Sequence, residues 1–341
     1  ANANTVGYSR QTAVMSQVPG QYTGSGYIGK GVEVSTIERA HSDFLTTQAA
    51  QAASVSSMDS TRANQLSSLE DIFTGGASGL GASVTDMLNS LSDVASTPTD
   101  ITARNVVLTR ADEMAARFRD AQSRLDDLQQ GVKSQLGNAV TTINSLATRV
   151  AALNQQIARS QGGGQAPNDL LDQRDQVMRD LNHQVQTTTV AADDGTMSVF
   201  IGSQPLVLGS SPAPLSLTTG ADGTQALTLT RANASSTIQG ETLGGGAVAG
   251  LLRFQNTDLA EARNLLGRMA TTITSAVNAQ HKLGVDLDGN AGGNFFQPIA
   301  VPDAVPATAN TGNATVGATV TAPSALAASS YQLNFGAGGC R

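Results

Sequence analysis

The chain has 341 residues, 27 of them acidic and 20 basic, for a formal net charge of −7. The acidic residues are spread along it without an acidic tail, so nucleic acid is not an expected partner, and no apolar run is long enough to span a membrane. Charged residues make up 14% and aromatics 4%, with no Trp; the small and amide-bearing residues that replace them suit close helix packing and polar subunit surfaces, and are poor material for a catalytic pocket.

A single cysteine, Cys340, rules out an intramolecular disulfide. No secretory signal pattern is visible. The start at Ala1, without Met and already inside a pattern, predicts a fragment.

Residues 1–40 hold turn signals and short alternating runs, read as an extended or hairpin arm. Val32 and Val34 alternate with polar residues as a strand does. Gly24-Ser25-Gly26-Tyr27-Ile28-Gly29 fits G-x-G-x-x-G, but a strand-like run follows it where a phosphate cradle needs a helix. A hairpin turn is the better reading. From Ser42 to Phe73 near-heptad spacing predicts a helix whose apolar face holds Phe44, Leu45, Val55, Met58, Leu66, Leu69 and Phe73. A short helix over Ser83–Ala95 follows, and Pro98 stops it. Asp100 or Thr99 then caps the next.

That next helix, Asp100 to Ser160, organises the chain. Its apolar positions Val107, Ala111, Met114, Phe118, Ala121, Leu125, Leu128 and Val132 alternate steps of four and three. After one extra step of four, the pattern resumes at Leu136, Ala139, Ile143, Leu146, Val150, Leu153 and Ile157. This is a heptad seam with one stutter, on a rod roughly 85–90 Å long. It predicts continuity through Gly131 and Gly137. A mechanical role fits such a rod better than catalysis.

Gly162–Gly164 form a turn, and Asn168 is expected to cap a helix running to about Asn182, with Asp175 and Arg179 as an i,i+4 pair. After His183 the period changes to two. Strands are expected at Val185–Ala191, Thr196–Ile201, Leu206–Leu208, Leu215–Thr218 and Ala226–Thr230, with Asp194-Gly195 and Asp222-Gly223 as hairpin turns. A helical pattern returns from Gly250 to His281, and residues 284–341 read as loops and short strands. The fold class is α+β: an elongated bundle of long helices with coiled-coil-like packing, plus small antiparallel β domains. The expected parts are an arm (1–40), a discontinuous bundle (41–183 and 250–283), a β insertion (184–249) and the incomplete start of a further domain (284–341).

No constellation for catalysis, cofactor or metal binding emerges, so the chain is not read as an enzyme. Asp286-Leu287-Asp288-Gly289-Asn290 resembles the opening of a calcium loop, but positions six and twelve are Ala291 and Gln297 in place of Gly and Glu. His41, His183 and His281 are far apart. Asp172 and Asp175 have Arg174 and Arg179 beside them, which suggests a salt-linked helix face.

Several stretches match one family. Ala1-Asn2-Ala3-Asn4-Thr5-Val6-Gly7-Tyr8-Ser9-Arg10-Gln11 resembles the signature of bacterial flagellar rod, hook and hook-associated proteins. Gly31-Val32-Glu33-Val34 with Arg39, and Asp43-Phe44-Leu45, resemble a following block of the hook-associated protein 1 family. Asp169-Leu170-Leu171-Asp172-Gln173-Arg174-Asp175-Gln176 is a more specific match to it, and Gly250-Leu251-Leu252-Arg253-Phe254-Gln255-Asn256 and Asp286–Phe296 agree. The resemblance implies a structural subunit, exported to the extracellular flagellum without a cleaved signal and forming the hook–filament junction. It implies as partners copies of the chain itself, the hook protein, the second junction protein and an export chaperone held by a missing C-terminal segment. No nucleic acid or membrane partner is implied. It also marks Asn2, Asn4, Thr5, Gly7, Tyr8, Ser9 and Arg10, with Leu170, Leu171, Asp172, Gln173, Arg174 and Asp175, as family and assembly residues. The alternatives are another axial subunit (the second junction protein, a rod or a hook subunit), against which the Leu170–Gln176 block argues, or a secreted helical-stalk effector or adhesin.

Overall fold

The computed structural model describes residues 7–161, 167–221, 223–301, 303–307, 310–312, 315–333, 335–336 and 339–340. Asn2, Asn4 and Thr5, the Gly162–Gly164 turn and Asp222 lie outside them. Strands β1 (Gln11–Gln17) and β4 (Val32–Arg39) pair antiparallel, with β2 (Gln21–Tyr22) and β3 (Tyr27–Ile28) forming a second small ribbon between them in sequence. The sequence pattern does not reveal β1, because its polar residues hide the alternation. Four long helices follow: α1 (Asp43–Glu70), α2 (Leu80–Ser96), α3 (Ile101–Gln161) and α4 (Asn168–Gln184). The β region comprises β5 (Thr188–Ala191), β6 (Met197–Ile201), β7 (Gln204–Leu208), β8 (Ser211–Pro212), β9 (Leu215–Thr219), β10 (Gln225–Arg231) and β11 (Ala234–Ile238). Helix α5 (Ala247–Arg253), a π turn (Phe254–Asp258) and helix α6 (Leu259–His281) follow the β region.

Helix α3 is unbroken through Gly131 and Gly137. Its seam is buried at every position apart from Phe118 and Leu128, which are partly covered. Burial of each large seam residue is worth roughly 1.5–3 kcal/mol, against ~1 kcal/mol for a helix-interior glycine, so the two glycines do not interrupt it. Asp100 caps the helix: its Oδ1 accepts from the Thr102 amide at 2.7 Å and the Ala103 amide at 3.4 Å.

The chain folds into two compact units. The first comprises Ala1–Arg62, Ser134–Thr218 and Gln225–Arg253. Within it the strands form a four-stranded antiparallel sheet in the order β5-β6-β7-β8 and a three-stranded sheet in the order β11-β10-β9. Two asparagines of α3 tie the helix to these sheets. Asn144 donates to the Leu215 carbonyl at 2.8 Å and accepts from the Leu215 amide at 2.9 Å. Asn154, fully buried, donates to the carbonyls of Met197 and Gly209 at 2.7 Å each, and accepts from the Met197 amide at 3.2 Å. The β10–β11 hairpin turns at Ala232-Asn233, both at positive φ (48° and 67°), the geometry of a tight two-residue turn. This pair is a weaker sequence signal than Asn-Gly, and β11 was not anticipated.

The structure departs from the sequence pattern at three places. The strand expected from Val185 starts at Thr188. Val185 instead closes α4, its amide donating to the Leu181 carbonyl, and the Thr187 amide and hydroxyl are both held by Asn182 Oδ1. The apolar face assigned to α1 is only partly its buried face: Phe44 (68%) and Leu45 (63%) are exposed, while Met58 of that face is buried together with the polar Ser54 and Gln65. Close backbone approach decides this. The Gly246 amide donates to the Ser54 carbonyl at 2.8 Å. A Cβ on Gly250 would stand 2.4 Å from the Met58 carbonyl oxygen, so only glycine fits there. The late helix also begins earlier than Gly250, at Ala247, and passes through the π turn before α6.

The second unit comprises Ala63–Lys133, Thr219–Thr224 and Phe254–Arg341. Its core joins Met87 of α2 and Ala111 and Met114 of α3, with Phe118, Ile273 and Val277 of α6, Phe295 and Phe296 packed against them. Arg263 of α6 pairs with Asp126 of α3 at 2.6 Å. The Asn278 side chain donates to the Phe296 carbonyl at 2.8 Å and accepts from its amide at 2.7 Å. In the Asp286–Asn290 loop the Asp286 carboxylate is taken up by the loop itself. Oδ1 accepts the amides of Asp288 and Asn290, and Oδ2 accepts the Asn290 side chain. Among the described residues no group of three or more His, Cys, Asp or Glu is placed to hold a metal ion. No helix among them is long and apolar enough to cross a membrane.

Candidate assembly site

Helix α4 carries more acid on one face than its own arginines neutralise. Asp172 and Asp175, three residues apart, point the same way, and both are buried. The cation comes from the arm. Arg39, at the end of β4, sends one guanidinium nitrogen to Asp172 Oδ1 at 2.8 Å and to Asp175 Oδ2 at 2.7 Å, with all three side chains only about a tenth exposed. The helix-face pairing expected from sequence is therefore replaced. Arg179 does not pair with Asp175; it donates twice to Gln176 Oε1, at 3.1 and 2.8 Å. Arg174 turns inward, donating to Asn154 Oδ1 at 3.1 Å and the Gly195 carbonyl at 2.7 Å. His41 closes the cluster, with Nε2 3.0 Å from Asp43 and Nδ1 3.6 Å from Asp175.

The two separate family stretches meet at this point. The Ser9 amide donates to Asp172 Oδ2 at 3.0 Å. Gly7 has φ +85°, and a Cβ there would lie 2.9 Å from Arg179 Nη2 and 3.2 Å from Gln176 Oε1. The arm is also held by Asn168, whose side-chain nitrogen donates to the Ile37 carbonyl at 2.9 Å. Asn168 is thus not the cap expected from sequence; the first turn of α4 hangs on the Pro167 carbonyl, which accepts from the Leu170 and Leu171 amides. Burial pushes the Asp172 carboxyl up, but the Ser9 amide and Arg39 outweigh it and hold the group below its ordinary value. Burial lowers the Arg174 guanidinium.

Gly7, Tyr8, Arg149, Asp169, Asp172, Gln173 and Gln176 line an adjoining cleft of about 300 Å³. Of the family residues marked in sequence, Gly7, Tyr8, Ser9, Asp172 and Gln173 gather here, with Asp175 one turn along. Leu170 and Leu171 are partly buried, and Arg10 is exposed, its carbonyl accepting from the Ala40 amide. Sequence reasoning did not assign Arg39, His41, Arg149 or Asn154 to the site. The signal for Arg39 was present: two carboxylates on one buried face require a cation from elsewhere.

The family model described as the flagellar hook-associated protein FlgK helical domain matches residues 66–296. Flagellar hook-associated protein 1 of Escherichia coli is 33% identical over 338 residues, covering 97% of this chain and 62% of that protein. Its Salmonella typhimurium counterpart is 35% identical over 301 residues, covering 86% and 54%. The flagellar hook junction protein FlgK from Burkholderia pseudomallei superposes with a TM-score of 0.78 at 31% identity, covering 85% of this chain and 53% of that one. The chain therefore spans between half and two thirds of the length of these relatives.

Proposed function

This chain belongs to the flagellar hook-associated protein FlgK family, and from that membership we propose that it is a structural subunit that self-assembles into the junction between hook and filament. The observation that carries the reading is the docking of the Gly7-Tyr8-Ser9 signature on the Leu170–Gln176 block, through Ser9–Asp172 and Arg39–Asp172/Asp175. The arm reaches the helices in one fixed direction, as a subunit stacked in a lattice requires. Its proposed partners are further copies of itself, the hook protein, the second junction protein and an export chaperone. Its proposed place is the extracellular flagellum, reached without a cleaved signal, and its proposed role is mechanical.

The test is location. In a flagellated cell the tagged full-length protein should label the hook–filament boundary by immunogold, and loss of its gene should leave hooks without attached filaments. Label spread along the filament, or confined to the cell body, overturns the proposal.

A further inference from the structure

The β1–β4 ribbon has two unlike faces. Its register sets Gln11, Ala13, Met15 and Gln17 opposite Arg39, Ile37, Val34 and Val32, so these eight residues share one face. The other face carries Thr12, Val14 and Ser16 with Thr36, Glu33 and Glu38. At the base of the first face Arg39 is covered by its ion pairs with α4. Beyond that rung the face stands in solvent: Ile37 is 41% exposed, Val34 55%, Met15 65% and Val32 66%. A two-stranded ribbon is marginally stable in water even without an uncovered apolar side.

We propose that a second copy of this chain covers the Met15–Val32–Val34–Ile37 face in the assembled junction; the inference rests on the assembly reading above. Area points to a copy held in a lattice. The exposed apolar side chains offer on the order of 400 Å², about half of the ~800 Å² per partner buried in a stable complex. Such a face does not hold a free dimer. It contributes when each copy is gripped from two sides, as in a ring or helical array. Charge agrees: the uncovered rungs carry no ionised side chain, and Glu33 and Glu38 lie on the opposite face, so identical copies meet without repulsion. Arg39 and the Asn168–Ile37 hydrogen bond fix the ribbon at its base, which lowers the ordering cost of the contact.

The experiment places photoreactive benzoylphenylalanine at Val34 of the full-length protein, with Glu33 on the opposite face as control, and irradiates isolated flagella. Covalent homodimers from position 34, at least tenfold above position 33, are expected. Val34→Glu should leave the melting of the purified protein unchanged and abolish its incorporation. Products with the hook protein or another subunit, absence of homodimer in flagella that contain the protein, or normal incorporation of Val34→Glu would each overturn the inference. Flagella that lack the unsubstituted protein altogether would instead overturn the assembly reading, and the inference with it.

Discussion

The Ser9 amide and the Asp172 carboxylate, 163 positions apart in sequence, are joined by a 3.0 Å hydrogen bond. The same carboxylate binds Arg39. One helix side chain therefore holds two points of the arm, and the consequences are measurable.

Removing the shared cation should be costly. Arg39→Ala leaves Asp172 and Asp175 buried without their partner, and breaking a buried pair in this way costs about 3–5 kcal/mol. Urea denaturation should show the loss. Combining Arg39→Ala with Asp172→Asn and Asp175→Asn should recover much of it, because no buried charge is then left uncompensated. A change below about 0.5 kcal/mol, the scale of an exposed pair, would mean that the cluster is open to water.

Acid should loosen the same contact. A carboxyl whose folded pKa is depressed contributes stability that is complete above its unfolded value, about 3.9, and that is lost as pH falls through the lower folded value. Asp172 is depressed, so its contribution should disappear below about pH 4. The urea midpoint followed from neutral pH to about pH 3 should fall less steeply in Asp172→Asn than in the parent. Equal acid slopes would contradict the assignment.

Glycines should divide by surroundings. Gly250→Ala sets a methyl group 2.4 Å from the Met58 carbonyl oxygen and 3.2 Å from the Arg62 amide nitrogen, and overpacking of this kind costs about 1–3 kcal/mol. Gly131 and Gly137 lie within α3, and a Cβ at either would meet no side chain or neighbouring element within 4 Å. Alanine at either should stabilise by ~1 kcal/mol. Calorimetry on the three variants should give melting shifts of opposite sign.

Asn154 and Asn144 should differ in the same direction as their burial. Asn154→Ala strands the Met197 amide, the carbonyls of Met197 and Gly209, and one donor of Arg174. At about 1–3 kcal/mol for each buried orphan, a loss of roughly 3 kcal/mol or more is expected. Asn144 is only partly buried, and water can replace it, so Asn144→Ala should cost less. Hydrogen exchange at Met197 and Leu215 would read each site separately.

The rod was legible because burial enforces a period: each seam residue of α3 from Val107 to Ile157 shows its covered face in the sequence. The strands expected between Thr196 and Thr230 were legible as short apolar and β-branched runs bounded by turn residues, although β10 is buried on both faces over Gln225–Leu229 and the short β8 was not anticipated. The face of α1 was legible only in part, at Met58. Its Phe44 and Leu45 are apolar but uncovered, and Ser54 is buried because glycine backbone approaches it. Polar anchors were equally hidden, since Asn144 and Asn154 act through backbone partners more than forty residues away. In the site, the family stretches flagged Asp172 and Ser9, but only the fold shows that Arg39 joins them.

The placement of the tyrosines has a spectroscopic consequence. Trp is absent and Tyr occurs four times, at Tyr8, Tyr22, Tyr27 and Tyr331, and all four are exposed. Three belong to the N-terminal arm, and the buried helix seam holds none. Intrinsic emission therefore reports the periphery, while far-ultraviolet dichroism reports the helices. With Tyr331 replaced by phenylalanine, a single titration reads the arm by emission and the melting of the helices by dichroism as separate events, without any added dye or label.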